Sequence, residues 1–209
     1  PISSGFCMQY LPIPRVIRRN VVLFALSQSF TGAGMQFAYG LGPLMVIALT
    51  DSAALAGLSV GLLGLSRFLV SYPVGRITDS YGRKPGILLG LGLALAGTLI
   101  VGLAMLARHP WTLILGMLVF GMGMNAAQQL RVAATDMFPP MMRAMALGYV
   151  ALGSLLGLLI SPPLISLAEH LAHRLSVEPL ALPWLFLPAL IVAGMGLVTL
   201  VRPDPKQIG

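Results

Sequence analysis

Gly75-Arg76-Ile77-Thr78-Asp79-Ser80-Tyr81-Gly82-Arg83-Lys84-Pro85 reads as a short charged turn between two long apolar segments. Arg76, Arg83, Lys84 and Asp79 gather here, in a chain where Asp, Glu, Lys and Arg make up 9% of the residues. Such a cluster cannot enter hydrocarbon, so it marks a water interface with a membrane-crossing helix on either side. Gly75 removes the side chain where the first helix ends, which lets another helix approach its backbone. Asp79 and Arg83 are four apart, within pairing reach if the turn is helical. Gly82 permits a positive φ just before a second helix that starts at Pro85.

Working outward, apolar residues (AVILMFWYC) make up 57% of the 209 residues. A soluble domain carries about a quarter charged residues, so this is the composition of a membrane protein. The net charge of +7 would suit nucleic acid, but the basic residues punctuate apolar runs and read as topological anchors. One cysteine, Cys7, excludes a disulfide within a single chain and lacks metal-ligand spacing. It reads as an ordinary residue ahead of the first helix. Arg18-Arg19 before an apolar run could be mistaken for an export signal. The run is too long for one and has no small-x-small cleavage site.

Residues 1–19 form a proline-rich, basic lead-in, with an amphipathic helix lying on the membrane as a weaker reading. Six apolar segments follow near 21–49, 55–78, 86–107, 111–135, 144–168 and 181–201, each long enough for the roughly 20 residues a span needs. They are separated at Asp51-Ser52, the charged turn, Arg108-His109-Pro110, Pro139-Pro140 and Glu169 to Pro179. The domain division is 1–19 lead-in, 20–201 six-helix unit, and 202–209 tail or start of a linker. Arg15, Arg18, Arg19, Arg76, Arg83, Lys84, Arg131, Arg143, Arg202 and Lys206 fall on one side, against Arg108 and Arg174 on the other. That asymmetry predicts both termini and the charged turn on the cytoplasmic side. Arg67 falls inside the second span.

In the first span Gln28, Thr31, Gly32, Met35, Gln36 and Tyr39 share a face about 140° wide. A polar stripe on a membrane helix points at a cavity or acts as helix–helix glue, and the cavity is the preferred expectation. Asn125, Gln128 and Gln129 give the fourth span a similar stripe. Gly57, Gly61, Gly64, Ser71 and Gly75 make a small-residue packing face on the second span. Gly153, Gly157 and Ser161 do so on the fifth. Arg67 lies about 60° from Gly64 and is expected to point into the bundle. No carboxylate lies at its depth, so its reading is an anion-binding residue or an arginine tied to glutamines, carbonyls or a partner chain.

The turn resembles the signature loop of the major facilitator superfamily, Gly-x-x-x-Asp-(Arg/Lys)-x-Gly-Arg-(Arg/Lys), placed between helices 2 and 3. Gly75, Asp79, Gly82, Arg83 and Lys84 match it, and Ser80 departs from it. The resemblance covers the chain from residue 20 onward. It implies an all-α membrane fold, the N-terminal six-helix half bundle built as a three-plus-three inverted repeat. It also implies a gating role for the five matching residues, with Asp79 and Arg83 in a charge relay to the partner half. The segment Asp136 to Arg143 is similar to the family's linker between helices 4 and 5. A Gly-Pro element in helix 5, found in the family's drug antiporters, is not matched at Gly157. An arginine found in many proton-coupled members is replaced by Met117, ahead of Gly121-x-Gly123.

Two further clusters have metal-like composition. Met117, Met122, Met124, Met137, Met141, Met142 and Met145 suit Cu(I) or, preferably, flexible packing. Glu169, His170 and His173 could hold a metal, though a solvated loop is the stronger reading. No cofactor is expected. No nucleophile–base arrangement, catalytic carboxylate pair or phosphate loop is present, so no enzyme is expected. The predicted function is secondary transport of a small solute, possibly an organic anion, with Gln28, Gln36, Tyr39, Arg67, Asn125 and Gln128 as substrate-binding residues. The alternative is a non-transporting structural or assembly subunit. Either reading places the chain in a bilayer, a bacterial inner membrane by expectation. Its partner would be a second six-helix half, a copy of itself or another membrane protein, because six helices cannot satisfy all these faces.

Overall fold

The computed structural model describes residues 15–175 and 178–202, and these are helical with no strand. The helices are α1 (Arg15–Thr50), α2 (Gly57–Tyr81), α3 (Arg83–Leu106), α4 (Pro110–Ala127), α5 (Gln129–Asp136), α6 (Arg143–Leu175) and α7 (Leu182–Thr199). Six units are long and apolar enough to cross a membrane, α4 and α5 together making the fourth. Short 3₁₀ turns at Ala53–Leu55 and Pro140–Met142 precede α2 and α6. The lead-in before Arg15, including Cys7, and the tail after Arg202 lie outside the described residues.

Turn chemistry sets the boundaries. Gly82 has φ 102°, the left-handed conformation expected of it, and separates α2 from α3 by one residue. At the opposite end His109 accepts from the Thr112 amide at 3.4 Å, with Pro110 in the first turn of α4. Helix α3 starts at Arg83 rather than Pro85, since Pro85 is tolerated anywhere in the first turn. Helix α1 is already formed at Arg15, inside the expected lead-in, and Asn20 and Val21 are buried. Glu169 to Leu175 is helix and not a break. Ala168 and Ala172 pack with Leu182 there, while Glu169, His170, His173 and Arg174 stay exposed. Two more turns of amphipathic helix therefore form where scarce apolar residues suggested a loop.

Helix α3 lies along α4 and α7, α1 lies along α6 and α7, and α2 leans on α4. Exchanging spans 1 with 4, 2 with 5 and 3 with 6 maps this neighbour pattern onto itself. The contact of α1 with α6 corresponds to that of α4 with α2, and the contact of α3 with α4 to that of α7 with α1. That is the relation an inverted three-plus-three repeat requires. The core is filled by Phe24, Phe37, Phe120 and Trp184. Phe120 and Trp184 meet edge to face at 5.0 Å.

Glycines let the helices close. A Cβ on Gly153 or Gly157 of α6 would strike backbone of α1 at Ala25 or Ser29, confirming this pair as a packing seam. Gly90 and Gly97 of α3 meet α4 backbone in the same way, and Gly116 and Gly123 of α4 meet α3. The expected glycine face of α2 does not pack against the described residues. An added Cβ at Gly57, Gly61, Gly64 or Gly75 meets no atom within 4 Å. Phe68 and Tyr72 on the same helix are 77% and 75% exposed.

Candidate functional site: an open polar face and a clamped basic end

The fourth span is not one helix. Helix α4 ends at Ala127, and α5 resumes at Gln129. At the joint the Gln128 amide donates to Asn125 O at 3.2 Å, and the Arg131 amide to Gln128 O at 3.1 Å. These i→i+3 bonds tighten the turn, which is how a mid-helix hinge looks. The sequence carries no proline or glycine at Gln128 to announce it.

The six expected substrate residues are spread over different environments. Gln28 is buried at 1% exposure, and its Oε1 has no hydrogen-bond partner among the described residues. The α1 stripe is thus divided. Gln28 and Thr31 are buried, while Gln36 and Tyr39, nearer the other end, are exposed. Asn125 is glue. Its Nδ2 donates to Gly121 O at 2.8 Å and to Ser66 Oγ at 3.3 Å, tying α4 to α2. Gln128 is half-buried at the helix joint. No hydrogen bond among the described residues joins any two of the six.

Arg67 does not point into the bundle. It is exposed, with no hydrogen bond or ion pair among the described residues. The packed side of α2 is Ser59, Leu62, Leu63, Ser66, Val70, Val74 and Thr78. Arg67 lies about 60° from the centre of that side, toward the uncovered glycines. An arginine at the centre of a span costs about 2.5–3.5 kcal/mol if it faces hydrocarbon. Arg67 therefore needs water or another protein surface. The exposed side chains of α3 within its span, among them Leu89, Leu99 and Leu103, suit lipid instead.

At the basic end the signature loop clamps two other helices. Arg83 Nε donates to Asp136 Oδ2 at 2.8 Å, and Nη1 reaches Gln129 Oε1 at 3.5 Å. Both partners are on α5, a carboxylate the sequence reading left unpaired at the edge of a linker. Lys84 Nζ donates to the Thr199 and Val201 carbonyls at 2.7 and 3.0 Å, placing a cation on the C-terminus of α7. Asn20 and Arg19 donate to Arg202 O, both at 3.3 Å, from the start of α1. Gly86 sits against the Thr78 methyl, so α2 and α3 cross closely beside the turn.

Of the metal-like clusters, Glu169, His170 and His173 lie on the last turns of α6 rather than in a loop. The Met117 and Met124 methyls lie at the notches left by Gly42 and Gly34. No group of three His, Cys, Asp or Glu side chains that could hold a metal gathers among the described residues. Arg131, expected among the basic residues of the cytoplasmic side, is exposed on α5 and donates from Nη2 to Ser154 Oγ of α6 at 3.2 Å.

The sequence profile described as the Major Facilitator Superfamily matches residues 24–209. The chain belongs to the major facilitator superfamily. It is 29% identical over 99% of its length to the uncharacterized MFS-type transporter YdeG of Bacillus subtilis, covering 49% of that protein. It is 28% identical over 71% of its length to the riboflavin transporter RfnT of Brucella anthropi, covering 37% of it. With the inner membrane transport protein YajR of Escherichia coli it shares 30% identity over 73% of its length, covering 32% of that protein. The chain spans about half the length of the curated relatives it matches best along its own length. Its six apolar helices make it an integral multi-pass membrane protein of this superfamily.

Proposed function

We propose that the chain is the N-terminal half of a secondary transporter for a small organic anion, with its basic end in the cytoplasm of a bacterial cell. The observation that carries this reading is Arg67, a mid-span cation with no counter-charge among the described residues, beside a glycine face that no described residue covers. A second six-helix half laid on that face would enclose the arginine and the exposed Gln36 and Tyr39 in a common space near the midplane. Superfamily relatives named for riboflavin and glucose transport support a small polar solute. Arg67→Gln in the full-length protein, reconstituted in proteoliposomes, should reduce uptake of organic anions at least tenfold, and Arg67→Lys less. Unchanged uptake of every anion tried, with lowered stability, would make Arg67 structural.

The clamped basic end then works as a gate. Asp79, in the last turn of α2, and Arg83, the first residue of α3, flank the Gly82 turn, and Arg83 is held by Asp136. Asp79→Asn should insert normally and shift the balance between inward- and outward-open states by several-fold. Reactivity of single cysteines on the two sides of the membrane reads this out. Identical labelling of mutant and wild type would remove the gating role.

A further inference from the structure

The geometry points to Arg131, steadied by Ser154, as the group that receives the acidic end of the transported solute; this deepens the transport reading and rests on it. The depth of the pair comes from its neighbours. A Cβ on Gly32 of α1 would lie 3.4 Å from the Ser154 backbone. Gly32 is twelve residues along α1 from Asn20, which touches the Arg202 carbonyl at the basic end. Twelve residues of helix rise about 18 Å, which is near the middle of a hydrocarbon layer of about 30 Å. The Arg131 backbone sits five residues from Asp136, roughly 7 Å from the end of α5. Its side chain leans toward the N-terminus of α5, as helical side chains do, and so reaches inward to Ser154.

The pairing at that depth is incomplete. A guanidinium presents five N–H donors in a planar fork, and among the described residues the partner of Arg131 is one neutral hydroxyl. The nearest carboxylate in sequence, Asp136, is engaged by Arg83. Arg131 is exposed, and a charge at this depth is not stable against lipid, so it faces an aqueous space. Ser154 fixes one edge of the fork and leaves the other for a planar anion, which bidentate carboxylates fit. The helix joint at Gln128 is three residues away, and broken helices line the solute sites of secondary transporters. Arg131 belongs to the side chains that touch the solute, and Ser154 is a positioning residue.

The test uses the full-length protein in mild detergent. Benzoate and succinate are the probes, with benzamide and succinamide as neutral counterparts, and affinity is read from the concentration dependence of thermal stabilisation. The two carboxylates should stabilise wild type and the amides should not. Arg131→Gln should weaken carboxylate binding at least tenfold. Arg131→Lys, which keeps charge without the fork, should weaken it less, and Ser154→Ala a few-fold. Melting without probe, and cysteine accessibility on both sides, show that each variant is folded and alternates. Absence of carboxylate binding to wild type, or equal affinity in Arg131→Gln, overturns the assignment. Loss in Arg67→Gln with Arg131→Gln unaffected overturns it too, and leaves transport standing. Carboxylate binding that depends on Arg131 in a protein that never alternates supports the site and removes the transport reading.

Discussion

Gly123→Leu should abolish recovery of folded protein, and Gly123→Ala should lower its melting temperature by roughly 5–10 °C. A Cβ at Gly123 would collide with the Ala94 backbone nitrogen and lie 2.6 Å from the Gly90 carbonyl oxygen. These are backbone atoms of α3 and cannot rotate aside. Gly97 makes the reciprocal approach, with Phe120 backbone in the way of any side chain. Membrane helices gain stability from close van der Waals packing, so separating two backbones removes the contact along their length. One extra methyl in a tight core costs about 1–3 kcal/mol, and a leucine adds several. Size-exclusion fluorescence of a tagged protein with a melting curve decides it. A Gly123→Leu protein that accumulates and melts within about 2 °C of wild type would show that α3 and α4 are not held this closely.

Gly61→Leu and Gly64→Leu should do the reverse in the full-length protein, leaving melting nearly unchanged while uptake falls at least tenfold. An added Cβ at either position meets no atom within 4 Å, so the six-helix unit does not register the change. A second half gliding against α2 would register it, because small residues permit the approach that alternating access requires. Proteoliposome uptake alongside melting separates the two effects. Wild-type uptake in both variants would place the glycines against lipid and move the interface elsewhere.

The fold was legible because hydropathy, charge and glycine spacing agreed. The six spans, the Gly82 turn and the α6 packing glycines all follow from local rules. What was not legible depended on neighbours. A glycine stripe looks the same whether it meets a helix of its own chain or a foreign one, so α2 and α6 could not be told apart. Gln28 and Gln36 share a helical face, yet the packed bundle buries the first and leaves the second exposed. Asp136 is 53 residues from Arg83, beyond any spacing rule. The bond from Arg131 to Ser154, 23 residues on, likewise depends on how α5 and α6 pack.

The eight-residue α5 is also a shaft whose roll is set by the signature loop. Arg83 holds it near both ends, at Gln129 and at Asp136. Those two positions are seven apart and lie on nearly the same side of the helix, whereas Arg131 is about 200° round from Gln129. The loop grips the back of the shaft, and the guanidinium projects from the front. Because Gln128 is a joint, α5 can turn about its own axis without twisting all of α4. With the guanidinium about 8 Å from that axis, a roll of about 30° sweeps it through about 4 Å, more than the length of a hydrogen bond. On the reading proposed above, a small rotation at the membrane surface would engage or withdraw a charge at mid-depth.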